Sequence, residues 1–264
     1  MDLGLTGNVA WVLGATSGMG RATAAALAAE GATVAISARR EDELAATAKD
    51  IENQAGTRCL AVPLDVSDGP GIAEAGRRIT AELGPVGILF SNAGGPPPGG
   101  FDEFDDAALY DAFTLTTASA WRLAKSVVPG MKEQRSGCLI FNTSWSVKEV
   151  IPNLLLSNML RASVVSLAKT LSKELGPHGI RVLVAAPGRI DTPRMAAIDQ
   201  NTAKTTGKPV EEVERASKAE IPLGRYGSPE EFGQVMAWLA SDRASYMTGI
   251  TVTVDGGLLN MVQA

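Results

Sequence analysis

Histidine is almost missing from this chain. His178 is the only one in 264 residues, which excludes a metal site built on imidazoles and a triad that draws on several histidines. It stands in Gly-Pro-His-Gly, a turn composition, and no metal is expected. Cysteine is nearly as scarce. Cys59 and Cys138 are isolated and lie in strand-like runs, which suits buried thiols in a reducing cytoplasm. No stretch of about eighteen residues runs without polar interruption, so no membrane span is expected. The N-terminal MDLGLTGNVAWVLG has no basic segment leading into a long apolar one, so no signal peptide is expected. The net charge is −5 and no block of one sign exists, so nucleic acid and anionic membranes are not expected partners. These absences fit a cytoplasmic location.

What remains is ample for a core. The chain is 45% hydrophobic and 20% charged, within the range of globular domains. Short runs rich in Val, Ile, Leu and Ala predict strands at Val9–Leu13, Thr33–Ser37, Cys59–Leu64, Val86–Ser91, Leu139–Thr143, Arg181–Ala185 and Thr251–Val254. They are continuous rather than alternating, as strands buried on both faces of a parallel sheet are. Helices are expected at Arg21–Glu30, Glu41–Gln54, Gly71–Leu83, Ala107–Gln134, Leu154–Leu175 and Pro229–Ser241. Strand–helix alternation on this scale predicts a doubly wound α/β fold in one domain, with no linker and no repeat. The polar, threonine-rich segment Pro193–Ile221 breaks the rhythm and reads as a flap over a site.

The first strand runs directly into Leu13-Gly14-Ala15-Thr16-Ser17-Gly18-Met19-Gly20, and a helix is expected from near Met19. Glycines at 14, 18 and 20 permit a tight turn and let a pyrophosphate approach the backbone. Ser17, Met19 and the helix start add unpaired N–H groups and the positive end of the dipole. The spacing Gly-x-x-x-Gly-x-Gly resembles the short-chain dehydrogenase/reductase family. Four further segments carry that resemblance: Ser91-Asn92-Ala93-Gly94, Pro187-Gly188 with Ile190 and Thr192, Asp65-Val66, and Asp255-Gly256-Gly257. The resemblance spans nearly the whole chain. It implies a single Rossmann-type domain over residues 1–264 with a seven-stranded parallel sheet flanked by helices. It also implies a nicotinamide cofactor and a homodimer or homotetramer. By the same resemblance, Asp65 and Val66 hold the adenine, and Asn92, Gly94, Pro187, Gly188, Ile190 and Thr192 line the cofactor site.

Strand two ends at Ala38-Arg39-Arg40. A carboxylate there would hold the ribose 2′-hydroxyl of NAD, whereas arginine accommodates a 2′-phosphate through paired, charge-assisted bonds. NADP(H) is therefore favoured over NAD(H), with Arg39 and Arg40 as the readers. The competing reading leaves one or both as solvated charges at the start of the helix.

Family members carry a serine that polarises a carbonyl, a tyrosine thirteen residues on, a lysine four beyond it, and an asparagine on the preceding long helix. Here Ser144 fits the first position, Ser157 and Arg161 occupy the second and third, and Thr116 falls at the fourth. An aliphatic hydroxyl is a far weaker acid than a phenol of pKa about 10. Arg161 keeps a cation on the same helical face as Ser157 but cannot release its proton. It can clamp ribose hydroxyls or stabilise an oxyanion. Ser144, Ser157 and Arg161 are thus the candidate catalytic set, Arg161 also being a cofactor contact. The only tyrosines are Tyr110, Tyr226 and Tyr246; Tyr226 follows the flap and is positioned to swing inward. Lys148, four beyond Ser144, is a further candidate. Leu13 replaces the family threonine before Gly14.

Three functions follow. The first is an NADP(H)-dependent oxidoreductase acting on a small carbonyl or alcohol, with Trp145 and Leu154–Leu156 shaping an apolar pocket for a ketone or 3-oxoacyl group and an atypical proton donor. The second is a silent NADP(H)-binding or regulatory subunit. The third is a non-redox enzyme on the same frame, as in halohydrin dehalogenases, which resemble this chain at Arg161 but keep the tyrosine.

Overall fold

The computed structural model describes residues 2–261. Seven strands run β1 Val9–Leu13, β2 Thr33–Ser37, β3 Cys59–Ala61, β4 Ile88–Ser91, β5 Gly137–Asn142, β6 Ile180–Pro187 and β7 Thr251–Val254. All pair in parallel, in the order β3-β2-β1-β4-β5-β6-β7. The direction of winding reverses between β1 and β4, which opens a crevice at the carboxyl ends of the central strands. Every residue of β1 and β4 is buried, as continuous apolar runs require in a sheet covered on both faces.

Among the described residues, nine helices cover the sheet and its rim: α1 Gly18–Ala29, α2 Glu41–Ala55, α3 Gly69–Leu83, α4 Asp106–Phe113, α5 Ser119–Gln134, α6 Leu155–Leu175, α7 Pro193–Thr206, α8 Val210–Ala219 and α9 Pro229–Ala240. On one face α1, α2 and α9 bury Leu27, Leu44, Phe232 and Met236 against Val12, Ile36 and Phe90. On the other, α3, α5 and α6 bury Ile79, Leu123 and Val164 against Trp11, Leu89 and Phe141. Helices α1 and α9 approach closely because Gly233 faces the chain at Ala22, where a Cβ would lie 2.5 Å from the Ala22 carbonyl oxygen. The one polar atom of the buried Trp11 ring is satisfied, its indole N–H donating to Ser37 Oγ at 2.9 Å. No helix among the described residues is long and apolar enough to cross a membrane.

The structure departs from the sequence expectations at several element bounds, β5 among them at Gly137–Asn142 rather than Leu139–Thr143. Strand β3 stops at Ala61, ahead of Pro63, which cannot donate to a ladder. Strand β4 begins at Ile88 rather than Val86, and β6 runs longer than expected, to Pro187. The helix expected over Ala107–Gln134 is interrupted by a π turn at Thr114–Ala118. Ser119 Oγ donates back to the Leu115 carbonyl at 2.5 Å, one way that serine bends a helix. The polar segment Pro193–Ile221, where no helix was expected, holds two helices, α7 and α8. Thr192 caps α7 by accepting from the Met195 N–H at 3.2 Å, and Pro193 follows as its first residue. Its threonines fit a helix because Thr202, Thr205 and Thr206 return their hydroxyls to carbonyls one turn back.

Candidate active site

The carboxyl ends of β1, β4, β5 and β6 bring the expected segments to one crevice. Gly14 has φ +63°, and a Cβ there would meet Asn92 Nδ2 at 2.7 Å. Gly20 passes so close to the Gly14 carbonyl that a Cβ would lie 2.2 Å from its oxygen. Gly18, φ +54°, faces Thr192, whose methyl would sit 3.0 Å from such a Cβ. The glycine turn, the segment after β4 and the segment after β6 are thus in mutual contact. Gly188 is pinned in turn against Asp255, with 2.6 Å between its would-be Cβ and that of Asp255.

Asparagine amides tie the strand ends together. Asn92 Nδ2 donates to the Leu13 carbonyl at 3.2 Å, and Asn142 Nδ2 donates to Asn92 Oδ1 at 2.9 Å. Ser17 flanks the start of α1 without a side-chain capping bond, so the helix presents its first N–H groups openly. A Cβ at Gly94 would meet nothing within 4 Å. An open, glycine-lined turn, a free helix start and close backbone approach fit a dinucleotide pyrophosphate.

Past the end of β2, Leu64 N–H donates to the Ala38 carbonyl at 3.0 Å, which sets Asp65 and Val66 beside Arg39. The two arginines there differ. Arg40 pairs with Glu43 at 2.8 Å, whereas Arg39 is exposed and enters no ion pair among the described residues.

The candidate set Ser144, Ser157 and Arg161 lies at the end of β5 and the start of α6. Ser144 caps the short 3-10 turn Trp145–Val147, its Oγ accepting from the Ser146 N–H at 3.1 Å. That bond uses the oxygen and leaves the hydroxyl proton free to donate. Ser157 is buried on α6, and its Oγ accepts from Arg161 Nε–H at 3.1 Å. Its hydroxyl proton is likewise free. Arg161 Nη1 donates to the Thr143 carbonyl at 3.0 Å, one residue before Ser144. One guanidinium therefore holds Ser157 directly and the backbone one residue before Ser144. Burial pushes that guanidinium down to about 10, the like charge of Arg194 adding to the shift, so it stays a cation at neutral pH. The π turn packs on the same helix, Thr117 Oγ1 reaching the Leu160 carbonyl at 3.3 Å. Thr116 Oγ1, Ser146 Oγ and Asn142 Oδ1 are buried without a partner among the described residues.

The inward swing expected of Tyr226 is not what the structure has. Its hydroxyl donates to Asp199 on α7 at 2.9 Å, and the ring packs with Ile221, Leu258, Trp145 and Met195. Tyr110 and Tyr246 are exposed, so no phenol stands at the candidate set. Lys148 follows the 3-10 turn and forms no ion pair among the described residues. The buried thiols of Cys59 and Cys138 are pushed up to about 12 and about 11, mainly by desolvation, and are unreactive at neutral pH.

This geometry can be set beside known proteins. The chain matches the enoyl-(acyl carrier protein) reductase family over residues 14–259. It belongs to the short-chain dehydrogenase/reductases. This short-chain dehydrogenase/reductase is 33% identical over 257 residues to a 3-oxoacyl-(acyl-carrier-protein) reductase of Thermotoga maritima, covering 97% of this chain and 99% of that one. It is similar in structure to L-sorbose reductase of Gluconobacter frateurii, solved with NADPH and L-sorbose, at a TM-score of 0.95 and 32% identity, covering 99% of this chain and all of the other (100%). A variant of the actinorhodin polyketide ketoreductase, solved with NADPH, aligns at a TM-score of 0.92 and 31% identity over 96% of this chain and 98% of that one.

Two residues escaped the sequence reading. Arg194 and Asp199 both lie on α7, in the stretch read as a flap. A cation placed two residues after a Thr-Pro cap was the available signal for Arg194, because a helix start disfavours positive charge.

Proposed function

We propose that the chain is an NADP(H)-dependent oxidoreductase that reduces a ketone or 3-oxoacyl-like carbonyl, with Ser144, Ser157 and Arg161 in place of the family's usual proton-transfer set. The observation that carries this reading is that Arg161 holds Ser157 through its Oγ and the strand end before Ser144 through the Thr143 carbonyl. Gly14, Ser17, Gly18, Met19 and Gly20 would hold the pyrophosphate, Asp65, Val66 and Asn92 the adenosine side, and Gly94, Pro187, Gly188, Ile190 and Thr192 the nicotinamide side. Arg39, which enters no ion pair among the described residues, would read the 2′-phosphate, while Arg40 is tied to Glu43. The bound cofactor supplies a hydride to the carbonyl carbon.

The protein's own part is at the carbonyl oxygen. Ser144 and Ser157 each have the oxygen lone pair engaged and the proton free, so both donate to the same developing oxyanion. Arg161 lowers the cost of negative charge on Ser157 without giving up its own proton. The proton that completes the alcohol passes through Ser157 and is replaced from water. A serine is a weaker donor than a phenol, so turnover is slow; a positioned general acid typically contributes about 10²–10⁴-fold. Residues 193–221, as α7 and α8, would cover the site, with Met195 of α7 and Trp145 both packed against Ile221, Tyr226 and Leu258. Exposed Tyr110, Phe113 and Trp121 suit an interface between copies of the chain in a homodimer or homotetramer.

A second reading is a silent NADP(H)-binding subunit, favoured by the absence of any phenol at the candidate set. Fluorescence titration with NADPH and NADH, followed by a ketone and 3-oxoacyl panel with reduced nicotinamide monitored by absorbance, separates the two. NADPH binding with oxidation supports the reductase. Binding without oxidation across the panel supports the silent subunit. Binding of neither nucleotide overturns both and restores the non-redox enzyme.

A further inference from the structure

Two guanidinium groups approach Gly95 in the loop after β4. Arg161 Nη2 and Arg194 Nη2 lie 3.4 and 3.6 Å from the point that a Cβ on Gly95 would occupy. The other nitrogens of Arg161 are engaged with Ser157 and Thr143, which leaves Nη2 for this meeting point. Arg194 is exposed, and neither arginine enters an ion pair among the described residues. Each is placed against its own electrostatics. Burial and the neighbouring charge press on Arg161. Arg194 stands in the first turn of α7, where the positive end of the helix dipole repels a cation. A bound anion relieves all of these costs, and a planar one can accept from Arg161 Nη2 on one side and from the Arg194 guanidinium on the other.

We infer that Arg161 and Arg194 clamp a carboxylate carried by the substrate itself, so that the substrate class is a small oxo acid rather than an acyl group on a long carrier. The inference rests on the reductase reading above. The guanidinium that touches Ser157 is the one that offers Nη2 to the clamp. The carboxylate therefore lies within a few bonds of the carbonyl that Ser144 and Ser157 hold, as in a 2-oxo or 3-oxo acid. A phosphate on a carrier arm is many bonds from its carbonyl and does not meet this spacing.

The test is binding first and turnover second. NADPH-loaded protein is titrated with phenylpyruvate and acetoacetate, with the methyl ester of each, and with inorganic phosphate, reading tryptophan and NADPH fluorescence. Absorbance then follows oxidation of NADPH. Each acid is expected to bind about tenfold or more tightly than its ester, as loss of a charge-assisted pair implies. That preference falls about tenfold in Arg194→Gln and largely returns in Arg194→Lys. Arg194 is exposed, so neither change threatens folding. Acid binding without NADPH oxidation overturns the reductase reading and upholds the clamp. Turnover with no preference for acid over ester, or equal losses for both in Arg194→Gln, overturns the clamp and upholds the reductase. Phosphate binding more tightly than either acid overturns the carboxylate assignment. Weakened NADPH binding in Arg194→Gln with the acid preference intact assigns the arginines to the cofactor and overturns the clamp.

Discussion

Arg161 Nε–H donates to Ser157 Oγ across 3.1 Å, one helical turn apart on α6. The bond makes the serine an acceptor toward the arginine and leaves it a donor toward the crevice. Ser157→Ala is expected to lower kcat about 10²-fold, the low end of what a positioned acid contributes, with the NADPH dissociation constant within about twofold of the parent. Ser157→Thr keeps the hydroxyl and most of the rate. Steady-state kinetics beside a fluorescence titration checks both. An unchanged kcat in the alanine variant would remove Ser157 from proton transfer.

Ser144 carries the carbonyl in this account. Its proton is free because the oxygen already accepts from Ser146 N–H. Ser144→Ala is expected to lower kcat about 10²–10³-fold, the loss typical of one oxyanion donor. Cofactor affinity should hardly move.

Arg39 and Arg40 separate by partner. Arg39→Ala is expected to weaken NADPH by about 10- to 100-fold while barely affecting NADH, because a hydrogen bond to a charged group contributes about 1.5–3 kcal/mol. Arg40→Ala breaks only an exposed pair with Glu43 and should change either affinity little. Equal losses for both nucleotides in Arg39→Ala would show that the 2′-phosphate is not read there.

Gly94 offers a test that steric crowding within the protein cannot confuse. A Cβ there meets nothing within 4 Å, and its φ is not positive. Gly94→Ala should therefore leave the melting temperature equal or slightly higher, since alanine restricts the unfolded chain by about 0.4–1 kcal/mol. It should weaken NADPH if the cofactor passes over this backbone. Gly20→Ala is the contrast, because its Cβ would collide with the Gly14 carbonyl and both fold and binding should suffer.

Asp199 gives a pH dependence. Burial raises its carboxyl above the ordinary value of 3.8, only partly opposed by the bond from Tyr226. The folded chain then holds this proton to higher pH than the unfolded chain does. Stability falls as pH rises from the ordinary carboxylate range through the raised folded value, and the loss is complete above it. Asp199→Asn removes the ionisation and keeps an acceptor for Tyr226. Its melting temperature should exceed the parent's near neutral pH, with the gap closing toward about pH 4. A variant less stable than the parent at every pH would contradict this.

Much of the frame was readable from local pattern. Strands β1, β2 and β7 match their expected bounds because each is a short apolar or β-branched run flanked by turn residues. The glycine turn was readable because its spacing is a backbone requirement. The π turn was not, since Ser119 bonds back to Leu115 in a segment whose composition suits an ordinary helix. Helix α7 was hidden because Asp199 is its only buried residue, so no apolar stripe marks it. The meeting of Arg161, Arg194 and Gly95 depends on three distant segments converging, which no window of sequence displays.

The central claim is hydride transfer from NADPH to a carbonyl at a site without a phenol. Its most direct test is incubation with NADPH deuterated at the transferring position of the nicotinamide, an oxo acid panel, and mass analysis of the products. The account predicts an alcohol carrying one deuterium on the former carbonyl carbon, formed by the parent and strongly reduced in Ser144→Ala. NADPH bound with no labelled alcohol from any member of the panel would contradict it.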